Sequence, residues 1–152
     1  MNMKLTLAVA LECGPTDCRV QLVEDGSIIT AAYSAPVQAR LKIYPHQLVA
    51  LDTNLTPPEI VYRWHYNQVE ELKGDKVIIK DHQGQLVELV RAEGMEAAPQ
   101  VGDWVFVTLG GNFAPSEVFD VAIDGRPAHP DYFSTYAFPK VEQFYRRITG
   151  NS

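Results

Sequence analysis

Four histidines and two cysteines hold most of the reactive chemistry in this sequence. None of His46, His65, His82 and His129 stands beside a serine or cysteine in a nucleophile motif, and neither GxSxG nor HExxH occurs. His82 lies in the turn-like stretch DHQG, where a solvent-exposed role is expected. Cys13 and Cys18 bracket GPTD, and the two thiols would pair on oxidation or supply half of a zinc site. A closed zinc site takes four ligands, and no second cysteine pair or HxxxH run completes one. The simpler reading is two ordinary thiols beside a turn at Gly14-Pro15. LGGN, residues 109 to 112, has the look of a phosphate loop, but it lacks the Lys and Ser/Thr of a P-loop and leads into no helical pattern. Acidic residues are scattered along turns and strand faces, and no spacing sets up an acid–base pair. These residues predict no catalytic group, no metal and no cofactor.

Composition supports a folded binding protein better than a nucleic-acid coat. Of 152 residues, 46% are hydrophobic and 21% charged, which excludes a disordered chain. The net charge of −6 argues against a general phosphate-backbone binder, which carries a basic face. The start, MNMKLTLAVALECG, has a short apolar run but no small-residue cleavage site. Leu5, Leu7, Val9 and Leu11 alternate, so the run reads as a strand. No stretch approaches the ~20 apolar residues of a membrane helix. The expected location is the cytoplasm.

The elements that position these residues come in two sets. RVQLVEDGSII, from Arg19, matches KVIIKDHQGQLV, from Lys76: Val20 faces Val77, Leu22 faces Ile79 and Gly26 faces Gly84. PHQLVALD matches VGDWVFVT, with Leu48 facing Trp104, Val49 facing Val105 and Leu51 facing Val107. PPEIV, from Pro57, matches PSEVF, from Pro115. The blocks keep one order at offsets of 56 to 58 residues. A weaker match sets Leu5, Leu7 and Val9 against Tyr62, Trp64 and Tyr66. Such self-similarity predicts an internal duplication.

Each copy reads as short strands with frequent turns. CRVQLV, a turn at Asp25-Gly26 and SIITAAYS form a predicted hairpin. PVQARLKIY alternates at Val37, Ala39, Leu41 and Ile43 and is read as a further strand, followed by QLVALD and EIVYRWHYN. The second copy runs KVIIK, QLVELVRA, GDWVFVT and EVFDVAI. This order of strand, glycine turn, alternating strand and G-D-x-V-x-V strand resembles the small Greek-key barrels of the OB-fold and SH3-like class. The resemblance spans roughly 19–66 and 76–123 and is one of strand pattern alone. It implies an all-β fold of two tandem, duplicated small β-barrel units packed together, plus a C-terminal α-helix. The expected division is a first unit at 1–68, a second at 69–126 and an aromatic loop with the helix at 127–152. In PKVEQFYRRITG, Val141, Phe144, Tyr145 and Ile148 form one apolar stripe. That helix is expected to lie across the second unit or to dock a partner.

The most pointed local feature is the aromatic strand EIVYRWHYN. Tyr62, Trp64 and Tyr66 fall on one face, with Arg63 and His65 on the other. In OB-type barrels such a stripe stacks bases. A stripe of this kind more often belongs to a core or to a seam between units, and the junction of the two copies is where a seam is expected. Candidate binding residues are Tyr62, Arg63, Trp64, His65 and Tyr66, together with Asn112 and Phe113 in a glycine-rich loop suited to moulding against a partner. The expected function is non-enzymatic: a binding or adaptor protein for a protein partner. The alternative is single-stranded nucleic-acid binding, which the acidic charge disfavours. No feature of the sequence fixes an oligomeric state.

Overall fold

Runs that alternate apolar and polar residues pair as strands, because a period of two puts every apolar side chain on one face. The computed structural model describes residues 3–109 and 116–149. In chain order the elements are β1 (Leu5–Cys13), β2 (Asp17–Leu22), β3 (Ile28–Tyr33), α1 (Ala35–Arg40), β4 (Leu48–Asp52), β5 (Glu59–Lys73), β6 (Lys76–Lys80), β7 (Leu86–Arg91), β8 (Trp104–Thr108), β9 (Glu117–Ile123), β10 (Arg126–Pro127), α2 (Pro130–Tyr132), a π-helical turn (Phe133–Ala137) and α3 (Phe138–Thr149). The strands are joined in one hydrogen-bonded sheet, and the protein is mostly β with a C-terminal helix. No helix among the described residues is long and apolar enough to cross a membrane.

The chain divides into two compact units. One comprises the residues up to Arg63 together with those from Phe133 onward, and the other is Trp64–Tyr132. The boundary thus falls within β5, upstream of the expected break at residue 68.

In the first unit β1, β2 and β3 form an antiparallel meander, with Ala8 opposite Leu22 and Val20 opposite Ile29. A bulge lies between Ala10 and Glu12. β4 pairs antiparallel with β1, and β3 pairs parallel with the start of β5, Ala32 opposite Glu59. β4 also pairs with β5. Ala8, Cys18, Val20, Ala31, Val49, Leu51 and Ile60 form the core.

The stretch PVQARLKIY is not the strand its alternation predicts. Residues 35–40 form α1, because Ser34 caps it by accepting from the Val37 N–H (3.3 Å) and Pro36 sits in the first turn. Val37 is fully buried and seals the core beside Ile43. The C-terminal helix also differs from expectation, since α3 belongs to this first unit rather than to the second. Its Phe144 ring meets Tyr62 edge-on at 5.0 Å.

In the second unit the later part of β5 pairs antiparallel with β6 and β8. β6 pairs with β7, and β7 runs parallel to β9, Val90 opposite Glu117. β8 and β9 are antiparallel. Val69, Val77, Ile79, Leu89, Val105, Val107 and Val118 fill the core. A bulge in β5 lies between Val69 and Glu71.

The lead-ins to β4 and β8 share one turn geometry. Gln47 accepts the Tyr44 N–H on its side-chain oxygen (2.9 Å), and Asp103 accepts the Gln100 N–H in the same way (2.9 Å). Each turn needs one residue at positive φ. Gly102 fills that place in the second unit (φ 93°), and His46 fills it in the first (φ 75°). A side chain in this region costs of order 1 kcal/mol relative to glycine. His46→Gly is therefore expected to raise unfolding stability by up to about 1 kcal/mol. Urea denaturation checks this, and a variant less stable than the parent would refute the strain.

Candidate binding surface

The side chains of β8 alternate between two faces. Val105 and Val107 enter the core, so Trp104 and Phe106 project from the opposite face. On β5, Tyr66 stands directly opposite Phe106 and Gln68 opposite Trp104. Diagonal neighbours on one face are within reach of large rings, and Tyr66 lies flat on Trp104 with centroids 4.6 Å apart and planes 9° apart. Tyr66 also meets Phe106 at 5.5 Å. A register shift after Phe106 leaves Phe119 as the extra residue of β9. Its ring packs against Trp64 at 6.1 Å and against Tyr132 at 6.4 Å. The unit thus carries an aromatic layer outside its aliphatic core.

This layer is closed at one end and open at the other. Trp64 is 1% exposed and Phe106 fully buried, whereas Trp104 is 41% exposed. Tyr66 is half-buried, and burial raises its hydroxyl pKa. Val101, three residues before Trp104, is also exposed.

The structure separates the predicted site residues. In the first unit Tyr62 is buried against Phe144, and the Arg63 Nε donates to the Lys42 carbonyl (3.0 Å). In the second unit Trp64 is buried, while His65 is half-buried opposite Val107. Among the described residues of that set, only Tyr66 reaches the open end of the aromatic layer. Asn112 and Phe113 lie outside the described residues, as does most of LGGN.

Trp104 and Val101 were not among the predicted site residues. Matching Trp104 with Leu48 placed it in a core strand, and that comparison hid its exposure. The alternation of β8 puts Trp104 on the face of Phe106, but Phe106 is fully buried, so the pattern alone does not reveal the exposure of Trp104.

A second polar feature lies in the same unit. Asp124-Gly125, both at positive φ, make the tight turn between β9 and β10. His129 stands as far beyond that turn as Asp120 stands before it. The Asp120 carboxylate, 1% exposed, accepts the His129 backbone N–H (2.6 Å) and lies 2.9 Å from the imidazole Nδ1. The hydrogen bond to Asp120 raises the His129 pKa above its ordinary value. The pair closes the hairpin, and counting outward from the Asp-Gly turn would have found it. Among the described residues, no three His, Cys, Asp or Glu side chains converge as a metal site.

The first unit holds a cavity of about 300 Å³, whose lining includes Gly14, Pro15, Tyr33, Leu41, Lys42 and Tyr44. The Tyr33 hydroxyl donates to the Gly14 carbonyl (2.8 Å) and so ties the β1–β2 turn to β3.

Compared with known proteins, the chain matches no family model and no curated protein.

Proposed function

We propose that this is a non-enzymatic binding protein built from two copies of one five-strand unit, and that its second unit holds a protein partner on the open end of its aromatic layer. The observation that carries the reading is the flat Tyr66–Trp104 stack, with Trp104 41% exposed. Two stacked rings lose little side-chain freedom on binding, and aromatic anchors of this kind dominate the energetics of interfaces. Val101, three residues before Trp104 in the chain, is a further exposed apolar side chain of this unit.

The duplication is supported by matching hydrogen bonds. Ala10 N–H donates to Gln47 O, and Val69 N–H to Asp103 O. His46 N–H donates to Ala10 O, and Gly102 N–H to Val69 O. Ser34 N–H donates to Ile60 O, and Ala92 N–H to Val118 O. The bulge after Ala10 has its counterpart after Val69. These pairings favour aligning Cys13 and Cys18 with Leu72 and Val77, two residues away from the match of Val20 to Val77. In each unit successive strands pair first to second to third to fifth to fourth and back to first, with third and fifth parallel. That order is similar to an OB-type barrel.

The test compares wild type with Trp104→Ala. Complexes isolated from the native cell are expected to contain a partner protein that Trp104→Ala loses, while the melting temperature of the variant stays close to wild type. A partner retained by Trp104→Ala would reject the surface. The same stack suits a nucleobase, so single-stranded oligonucleotides form the second arm. Binding that falls steeply with salt and disappears in Trp104→Ala would replace the protein partner with nucleic acid.

A further inference from the structure

Cys13 and Cys18 face each other directly across β1 and β2. The next pair outward, Gly14 and Asp17, is hydrogen-bonded, Gly14 N–H to Asp17 O at 2.9 Å. In an antiparallel ladder the two kinds of pair alternate, so the cysteines occupy a non-hydrogen-bonded site, where Cα atoms approach to about 4.5 Å. That spacing lies within the ~4.4–6.8 Å range of disulfides. The two Sγ atoms are 3.1 Å apart, and a bond of ~2.05 Å needs only a small closing motion of the side chains.

The two thiols differ in access. Cys18 is fully buried in the first unit's core, and burial with the neighbouring Cys13 sulfur pushes its thiol up to about 12. Cys13 is half-buried, next in the chain to Gly14 and Pro15, which line the cavity. An incoming reagent therefore meets Cys13 first, with Cys18 held directly behind it.

We infer that Cys13 and Cys18 form a dithiol–disulfide switch at the base of the β1–β2 turn, oxidised by exchange with a small-molecule disulfide. The Cys13 thiolate attacks one sulfur of RSSR, forms the mixed disulfide and releases RS⁻, which takes up a proton. The Cys18 thiol then gives up its proton and attacks the Cys13 sulfur, forming the Cys13–Cys18 bond and releasing the second RS⁻. Two protein thiols and one RSSR become one protein disulfide and two RSH. The bond would lock the β1–β2 turn that carries Gly14 and Pro15, two of the residues that line the cavity.

The experiment equilibrates the full chain in buffers of reduced and oxidised glutathione, traps free thiols by alkylation and measures intact mass. Both cysteines are expected to lose reactivity together, with the loss of two hydrogens and no glutathione adduct remaining. Cys18→Ala, which cannot resolve the first step, is expected to accumulate glutathione on Cys13. Persistent glutathione on Cys13 of the wild type, or two thiols that stay alkylatable throughout, would overturn the proposal. So would a Cys18→Ala protein that takes up no glutathione.

Discussion

Truncation of Trp64 to alanine is expected to cost about 3–5 kcal/mol of unfolding free energy, the range for large buried aromatics. The indole is 1% exposed, and its neighbour Phe119 lies edge-on at 6.1 Å. Removing the indole opens a cavity that rigid β-strands cannot close, so the cavity cost adds to the lost burial. Trp104→Ala, on the open end of the same layer, is expected to cost much less, about 1 kcal/mol, because its ring is already partly in water. Chemical denaturation of both variants separates the two roles. A loss below about 1 kcal/mol for Trp64→Ala would show that this residue is a surface platform and not part of the packed layer.

The second large effect is expected at Asp120. Its buried carboxylate accepts the backbone N–H of His129 and also binds the imidazole. Asp120→Ala leaves that N–H without its acceptor beside an apolar layer. Hydrogen bonds to a charged group contribute about 1.5–3 kcal/mol each, so a loss of about 2–4 kcal/mol is expected. The exposed imidazole, screened by water, supplies the smaller part. Its contribution has a defined pH dependence. A histidine whose pKa is raised by folding stabilises fully below its unfolded value and loses that contribution as pH rises through the folded value. The window therefore begins near the ordinary histidine value of 6.5 and extends upward. Asp120→Asn retains the shape but removes the charge, so the His129 pKa should fall toward its ordinary value. An NMR titration of the imidazole tests this, and an unchanged pKa in Asp120→Asn would break the link.

How much of this was legible in the sequence depended on which force sets each element. β6 and β9 lie where KVIIK and EVFDVAI place them, because short apolar runs rich in β-branched residues and bounded by turns act locally. The stretch after Ser34 misled because Val37, Ala39, Leu41 and Ile43 alternate, while a capping serine and a first-turn proline favoured helix over that pattern. The match of Val20 to Val77 follows residue likeness; under the proposed duplication, the strand registers, with Val20 opposite Ala10 and Ile79 opposite Val69, favour Val20 with Ile79 instead. A slip of two residues keeps every side chain on its face, so such a shift leaves no trace in the apolar alternation. The aromatic strand was the hardest. Its period showed which residues share a face, but the closure of that face at Trp64 and its opening near Tyr66 depend on Phe119, Phe106 and Trp104, distant in the chain.

The fifteen residues of β5 have a consequence for how the molecule can be divided. Glu59 and Ile60 pair with β3 of the first unit, and His65 onward pairs with β8 of the second. One uninterrupted strand ends one unit and begins the next, so a protease that cuts linkers finds none at Arg63–Trp64. A fragment starting at residue 69 would lose the β5 residues paired with β8, leaving an open strand edge prone to self-association. The first of the two chain crossings between the units thus falls inside a strand.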